Sequence, residues 1–243
     1  MQGKHVMEEL SPAAVAVRAN QALAVAGQTD MIWGHASVRD PDGRGVWIKA
    51  ASWGLDEVTE ERVHLVSRAG EVLAGSGRPQ YEYPIHTEIV AAREEVGAVV
   101  HTHAPAAVAF ASLGVPLRAI SHEGALFTEP DVPRFTRTGS LIRTADLGAA
   151  LAATIGANPA CLIPQHGLVT VGKDAATAVM HAVLLERACR LHLMAASAGG
   201  PALWSDRDEV MRKRAEMWTE IQLRGGYEYL VRRTREDRTG SSA

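Results

Sequence analysis

Residues 98–110 read AVVHTHAPAAVAF, an apolar run of strand length that ends in two histidines, His101 and His103. In an extended strand, residues i and i+2 point to the same face, so both imidazoles project together while Thr102 points the other way. The valines before them predict a rigid, buried support for such a pair. The two histidines are either a metal clamp or packing residues at the end of a buried strand, and their spacing alone does not decide between these.

A third histidine follows a second apolar run, in CLIPQHGLVTVG at residues 161–172. Gly167 allows the chain to turn there, so His166 can reach the same place from a neighbouring strand. The best carboxylate is Glu82 in YEYPIHTE, just before a helix that begins at Pro84. Three imidazoles with a carboxylate or a water suit one divalent ion, namely Zn²⁺, Mn²⁺, Fe²⁺ or Co²⁺.

The remaining pattern alternates strands and helices without a strict βαβ rhythm. Helices are predicted over residues 11–26, 84–95, 106–114, 144–156, 174–200 and roughly 205–223. Strand pairs are predicted around the turns at Pro41-Asp42-Gly43 and at Ala69-Gly70. Tight turns make neighbouring strands antiparallel, so an α/β fold with a mixed or mainly antiparallel sheet and helices on both faces is expected. The last residues, REDRTGSSA from about 235, are expected to form a flexible tail.

Composition and charge indicate which classes of protein and partner are expected. The chain has 243 residues, 47% of them hydrophobic, and a net charge of −3, which predicts a single domain over 1–243. The basic residues are scattered apart from VRRTRED near the C-terminus, so no nucleic-acid partner is expected. No apolar run reaches the ~18–20 residues that a membrane helix needs. The charged N-terminus resembles no signal peptide, and Cys161 and Cys189 lie among aliphatic residues, so a cytoplasmic location is expected.

The order of these pieces resembles the class II aldolase/adducin family over about residues 12–200. The resemblance implies a three-layer α/β/α fold around a mainly antiparallel sheet. It also implies a divalent metal held by His101, His103 and His166, with Glu82 as a fourth ligand or a catalytic acid/base. It further implies a homotetramer with active sites near subunit interfaces. Because the chain keeps these residues, we favour an enzyme over a non-catalytic, adducin-like interaction module.

The chain departs from the sugar-phosphate members of this family at their phosphate-binding positions. Those members use an Asn in a GN-S turn, a Thr/Ser-Gly pair that is altered here, and two serines before the glutamate. This chain has His35 at the first position, and Gln80 and Tyr81 at the third. A histidine and a tyrosine would crowd a phosphate dianion, so a non-phosphorylated carboxylate is the expected substrate. His35, Lys49, Arg78 and Tyr81 are the expected substrate-binding residues, as partners for a carboxylate or a flat ring.

A further departure lies in RAISHEGALF, near which the family's aldolases carry a catalytic tyrosine. Here His122 and Glu123 stand instead, either as a proton-transfer pair or as a structural pair in a turn. With Glu82, they are the candidate catalytic acids. These pieces look most like the decarboxylase-type members, which act on hydroxylated aromatic dicarboxylates such as dihydroxyphthalate. A metal-dependent carbon–carbon lyase, preferably a carboxy-lyase, is therefore predicted. The alternative is an aldolase or epimerase acting on a non-phosphorylated hydroxy-acid or sugar.

Overall fold

The structure is a computed structural model that describes the backbone of residues 10–240 and the side chains of residues 10–234. Its strands form one sheet: β1 His35–Arg39, β2 Val46–Lys49, β3 Val63–Val66, β4 Val72–Ala74, β5 Ala98–Thr102, β6 Ala160–Ile163 and β7 Gly167–Gly172. The strand order is β4-β3-β2-β1-β5-β7-β6. Each ladder between these strands is antiparallel. The predicted mainly antiparallel sheet is therefore confirmed.

Helices cover both faces of the sheet. They are α1 Pro12–Val25, α2 Tyr83–Ala92, α3 Pro105–Ala111, α4 Ala145–Ile155, α5 Ala175–Ser197, α6 Arg207–Met217 and α7 Glu220–Gly240. Helices α1, α3, α5 and α7 share one apolar core with the sheet, whereas α2 and α4 share a second core on the opposite face. This arrangement confirms the predicted three-layer α/β/α fold. Within the part of the chain that the structure describes, no helix is both long and apolar enough to cross a membrane.

The predicted last helix over roughly 205–223 is wrong, because the chain forms two helices that are separated by Trp218 and Thr219. The second of these, α7, runs through Gly225 and Gly226, which normally weaken a helix. A Cβ atom at Gly226 would lie 2.7 Å from the Cε atom of Met180, so the glycine lets α7 pack closely on α5. The flexible tail expected from about 235 falls on the end of α7 and on residues 241–243, which lie outside the described residues, and it stays a prediction.

The register of the central strands brings three chain segments to one end of the sheet. His35 of β1 lies opposite His101 of β5, and Thr102 lies opposite Leu168 of β7. Along β5, Val99 packs in the core of α2 and α4, whereas Val100 packs in the opposite core. Alternation therefore turns the side chain of His101 toward α2. The start of β1, the end of β5 and the start of β7 thus meet beside the first turn of α2.

The turn between β1 and β2 is held by a buried carboxylate, Asp40. It accepts hydrogen bonds from Arg44 Nε at 2.8 Å and from Trp47 Nε1 at 2.9 Å. The hydrogen bonds from Arg44 lower the pKa of Asp40 from its usual 3.8 to about 2. A depressed native pKa adds stability above the unfolded pKa, and this stability disappears as the pH falls through the native pKa.

We therefore expect Asp40→Asn to lower the free energy of unfolding by about 2 kcal/mol at pH 7. The difference from wild type should shrink as the pH falls from about 4 toward about 2, because the wild-type carboxylate is then protonated. Urea unfolding at pH 7, 4 and 3 measures this change. Asp42→Asn is the matched control, since Asp42 pairs with the same Arg44 at 3.2 Å but its side chain is 71% exposed. Equal losses in the two variants would contradict the prediction.

Candidate metal centre

Four side chains from separate elements converge at this end of the sheet. Glu82 is the N-cap residue of α2, His101 lies in β5, His103 follows that strand, and His166 immediately precedes β7. One ligand atom from each lies within 4.8 Å of the corresponding atom of every other. Glu82 Oε2 is 3.5 Å from Nε2 of His101 and 3.5 Å from Nε2 of His166. The structure thus brings together the four residues that the sequence proposes as metal ligands.

The unpaired nitrogens of this cluster fit a cation. Nε2 of His101, His103 and His166 is enclosed and has no hydrogen-bond partner among the described residues. A buried polar atom without a partner costs about 1–3 kcal/mol, so three such atoms facing one another need a common partner. Imidazole nitrogens and a carboxylate oxygen are the ligands that zinc and other first-row divalent ions prefer. A divalent ion bound among them would satisfy all three nitrogens.

The outer nitrogens of two of these histidines select the required tautomer. His101 Nδ1 lies 2.9 Å from the carbonyl oxygen of Leu168, and His103 Nδ1 lies 2.8 Å from Oδ2 of Asp30. A carbonyl and a carboxylate only accept hydrogen bonds, so each Nδ1 carries the proton and each Nε2 presents a lone pair. Burial, with a smaller contribution from His101, lowers the pKa of His103 and favours the neutral imidazole that binds metals.

The carboxylate is also held in place. Glu82 Oε1 accepts a hydrogen bond of 2.8 Å from the backbone N–H of Ile142, which leaves Oε2 facing the histidines. Burial raises the pKa of Glu82, but the neighbouring His101 and His166 outweigh it and hold the pKa well below its usual range. Because Nε2 of His101 carries a lone pair, it and Glu82 Oε2 face each other at 3.5 Å as two ligands of one cation would. Glu82 is therefore an ionised ligand or base.

The turn that carries His166 is built differently from the sequence expectation. Gln165, not Gly167, takes the left-handed conformation, with φ of 65°. A Cβ atom at Gly167 would collide with the carbonyl oxygen of Thr102. The glycine is needed because the backbones of β5 and β7 approach each other closely at this point. This close approach brings His166 next to His103, with ring centroids 5.2 Å apart.

A cavity of about 610 Å³ opens beside the cluster. It is lined by both polar and apolar groups: Asp30, Trp33, His103, Pro105, Val108, Ala109, Leu141, Gln165 and His166. This volume is typical of sites for small molecules. Two of the four cluster residues, His103 and His166, form part of its wall, so a ligand in the cavity can reach the metal position.

Comparison with known proteins agrees with this geometry. A family model described as Class II Aldolase and Adducin N-terminal domain matches residues 14–193. The chain belongs to this family. Class II aldolases use a divalent metal, and the cluster of three histidines and one glutamate fits that requirement. The family's known members include lyases and epimerases, which supports an enzyme.

Individual relatives of this class II aldolase-family chain carry different activities. The chain is 32% identical over 188 residues to a 3,4-dihydroxyphthalate decarboxylase from Terrabacter sp. (strain DBF63), and the match covers 73% of this chain and 78% of the relative. It is 32% identical over 155 residues to a 5-methylthioribulose-1-phosphate/5-deoxyribulose-1-phosphate aldolase from Rhodospirillum rubrum, covering 63% and 67%. An L-fuculose 1-phosphate aldolase from Glaciozyma antarctica PI12 shares the fold, with a TM-score of 0.82 at 24% identity over 99% of this chain and 96% of that one.

The four residues expected to bind substrate occupy different surroundings. His35 is buried beside the cluster, with its ring centroid 5.2 Å from that of His101. The Lys49 ammonium instead donates hydrogen bonds to the carbonyls of Ile32 and Trp53, at 2.8 and 2.6 Å. Burial lowers the pKa of Lys49 to about 8.

The other two lie at the surface: Arg78 is exposed and its guanidinium lies 5.3 Å from the ring centroid of Tyr81. Among the described residues, only His35 of the four directly contacts a cluster residue through its ring.

Two of the expected proton donors, His122 and Glu123, lie at the start of a short 3₁₀ segment that packs on α5 and α6. His122 is exposed, and its carbonyl accepts a hydrogen bond of 2.8 Å from Trp218 Nε1. In the described part of the chain, no hydrogen bond, ion pair or ring contact joins His122 or Glu123 to the cluster. Their catalytic role stays a prediction.

Asp30 is a site residue that the sequence analysis missed. No spacing signal connects it with His103, which lies 73 residues further along the chain. It reaches the histidine because the turn before β1 lies beside the end of β5, and this adjacency exists only in the folded sheet.

We expect Asp30→Asn to weaken binding of a divalent ion by about 10–100-fold, because the carboxylate orients His103 and makes its Nε2 a better ligand. Competition with a chromophoric chelator measures the affinity. Asp131→Asn is the control, since its side chain is 34% exposed, close to the 36% of Asp30, and pairs with Arg134. An affinity for Zn²⁺ that Asp30→Asn leaves unchanged would show that this hydrogen bond does not tune the site.

Proposed function

We propose that this protein is a divalent-metal-dependent decarboxylase that acts on a hydroxylated aromatic dicarboxylate similar to dihydroxyphthalate. The supporting observation is the 32% identity over 188 residues to a 3,4-dihydroxyphthalate decarboxylase. Two further relatives with that activity match at 31% and 30% identity. The product of such a reaction is a hydroxylated aromatic monocarboxylate, as expected in the breakdown of aromatic acids.

The cavity walls favour a flat, partly apolar substrate. Trp33, Pro105 and Leu141 provide apolar surface close to His103 and His166. Aromatic and apolar side chains bury a ring while a few polar groups orient its substituents. His35 stands where the sugar-phosphate members have an asparagine, which favours a carboxylate over a phosphate.

The divalent ion and the side chains of the protein would contribute different parts of the mechanism. A divalent ion held by Glu82, His101, His103 and His166 would supply Lewis-acid stabilisation of negative charge on the substrate oxygens. The Leu168 carbonyl and Asp30 orient His101 and His103 so that each Nε2 points to the cluster, and the apolar side chains of the cavity wall would pack against the ring.

Glu82 can accept the hydroxyl proton and deliver it to the ring carbon that bears the leaving carboxylate, which makes this carbon tetrahedral and the hydroxyl a carbonyl. The bond to the carboxylate then breaks, carbon dioxide leaves, and the electron pair restores the aromatic ring with its negative charge on the former hydroxyl oxygen, which takes a proton from solvent. His122 and Glu123 remain alternative donors, and a second subunit could bring them to the site.

Such sharing fits the homotetramer that we propose for this chain, with sites near subunit interfaces. Large apolar side chains are exposed near the cavity and elsewhere, including Met31 at 69% and Ile221 at 81%. Native mass spectrometry measures the subunit number. We also propose a cytoplasmic location, where the two free, buried cysteines Cys161 and Cys189 would stay reduced.

The test is carbon dioxide release from 3,4-dihydroxyphthalate by the purified protein loaded in turn with Zn²⁺, Mn²⁺, Fe²⁺ and Co²⁺. Release of carbon dioxide with formation of the dihydroxybenzoate supports the proposal. A hydroxypyridine dicarboxylate tests the breadth of the substrate class. No turnover of either compound with any ion would overturn it.

An aldolase or epimerase acting on a non-phosphorylated hydroxy-acid or sugar is the second candidate. The aldolase from R. rubrum, at 32% identity, favours it because carbon–carbon cleavage in both reactions places charge on an oxygen that a cation can stabilise. Release of an aldehyde or of pyruvate instead of carbon dioxide would identify this activity. A protein that binds no divalent ion and gains no stability from one would support the adducin-like interaction module instead.

A further inference from the structure

Three buried polar side chains are linked by hydrogen bonds from β1 to α2 and back to the edge of the metal cluster. Ser37 Oγ lies 2.7 Å from His86 Nδ1, and His86 Nε2 lies 2.7 Å from His35 Nδ1. Ser37 and His86 are fully buried, and His35 is 3% exposed. Ser37 and His35 share one face of β1, while His86 lies one helical turn after Glu82 in α2. Neither Ser37 nor His86 has a part in the mechanism above.

The Ser37 hydroxyl favours one direction for these hydrogen bonds. Ser37 Oγ has no other hydrogen bond among the described residues, so a hydroxyl that only accepted would leave its own proton buried and unpaired. Ser37 therefore donates to His86 Nδ1, and His86 carries its proton on Nε2. That proton is donated to His35 Nδ1, which leaves the proton of His35 on Nε2. The His86 ring also forms a hydrogen bond with the backbone of Val99, which favours the reverse direction, and the tautomer measurement below distinguishes the two.

These hydrogen-bonded side chains end at Nε2 of His35, whose ring lies beside the cluster. His35 Nε2 has no partner among the described residues and, unlike Nε2 of the three cluster histidines, is not fully enclosed. Its ring lies 5.2 Å from that of His101. Because Nδ1 of His35 accepts the hydrogen bond from His86 in this arrangement, the ring carries its one proton on Nε2.

We propose that Ser37 and His86 are positioning residues that hold His35 in its Nε2–H tautomer, so that His35 donates a hydrogen bond to an oxygen of the substrate bound at the cluster. The identity of that oxygen, a ring carboxylate or hydroxyl of an aromatic dicarboxylate, rests on the proposed function. The tautomer of His35 does not depend on the proposed function. A fixed neutral donor favours a substrate that carries a hydrogen-bond acceptor at one position. A substrate that lacks this acceptor binds more weakly, because the buried N–H is then left unpaired.

The first measurement is the tautomer itself. Long-range ¹H–¹⁵N correlation spectra of histidine-labelled, Zn²⁺-loaded protein distinguish a protonated Nε2 from a protonated Nδ1. The signal of His35 is assigned by its loss in His35→Asn. We expect the Nε2–H form in the wild type and a mixture of both tautomers in Ser37→Ala. A wild-type His35 protonated on Nδ1 would overturn the proposal, whatever the enzyme's activity.

The second measurement is kinetic. Ser37→Ala should raise KM for 3,4-dihydroxyphthalate about 10-fold with a smaller change in kcat. Bound Zn²⁺ should not be lost, because the Ser37 hydroxyl bonds His86 and none of the four cluster residues. Ser37→Thr keeps the hydroxyl and should restore both KM and the tautomer. Thr170→Val is the control, because it removes another fully buried hydroxyl of the sheet, one that donates to the Ala178 carbonyl at 2.8 Å.

The results of these two measurements test the role of Ser37 and His86 independently of the proposed decarboxylase function. Equal KM changes in Ser37→Ala and Thr170→Val would assign Ser37 a merely structural role and overturn the proposal. If 3,4-dihydroxyphthalate is not turned over at all, the decarboxylase assignment fails, and the NMR measurement still decides whether Ser37 and His86 orient His35.

Discussion

Replacing His101 by alanine should abolish binding of the divalent ion and with it the activity, while the fold stays assembled. The imidazole supplies one of three converging Nε2 atoms, and its Nδ1 is already oriented by the Leu168 carbonyl. Loss of an outer-shell partner alone costs about 10–100-fold in affinity, so loss of a direct ligand should cost on the order of 10³-fold or more. Isothermal titration with Zn²⁺ and turnover of 3,4-dihydroxyphthalate measure the two effects.

The cost of removing a buried imidazole must be separated from the cost of removing a ligand. His181→Ala is the matched control: His181 is buried in α5 and its Nδ1 lies 2.8 Å from the Val171 carbonyl, outside the cluster. Both variants should lose thermal stability in the metal-free state by similar amounts. Only wild type and His181→Ala should then gain stability on addition of Zn²⁺. Full activity in His101→Ala would remove the metal clamp from the mechanism.

The sequence predicts the part of this site that depends on local geometry. The two-residue period of a strand is enough to place His101 and His103 on one face. It does not bring His166 or Glu82 to them, because spacing carries no information on which strands become neighbours. The family resemblance supplies that link, and the register between β5 and β7 accounts for it physically.

What the sequence does not reveal are contacts made by backbone groups and by residues far apart in the chain. Lys49 has the charge of a carboxylate-binding residue, yet its ammonium is held by two carbonyls, and no pattern in the sequence indicates them. Asp30 and the hydrogen-bonded side chains of Ser37, His86 and His35 are similar cases, since their partners come from other elements. Gly226 of α7 also misleads, because its packing role depends on Met180 of α5.

Glu82→Gln should lower kcat by about 10²–10⁴-fold while the protein still binds a divalent ion with reduced affinity. The amide oxygen of the introduced glutamine can keep the hydrogen bond from the Ile142 N–H, so the side chain stays in place. What disappears is the negative charge 3.5 Å from His101 and His166, and with it the group that takes up and returns a proton. Turnover at saturating substrate and saturating Zn²⁺ isolates the loss of proton transfer from the loss of metal.

Glu88→Gln provides the comparison, because Glu88 lies on the same helix, is equally buried, and pairs with Arg68 at 2.7 Å outside the cluster. That variant should lose stability but keep kcat, since neither the metal site nor the cavity involves Glu88. If Glu82→Gln also keeps kcat once it is saturated with Zn²⁺, Glu82 is only a ligand. The proton must then come from another donor, and His122 and Glu123 of an adjoining subunit become the residues to test.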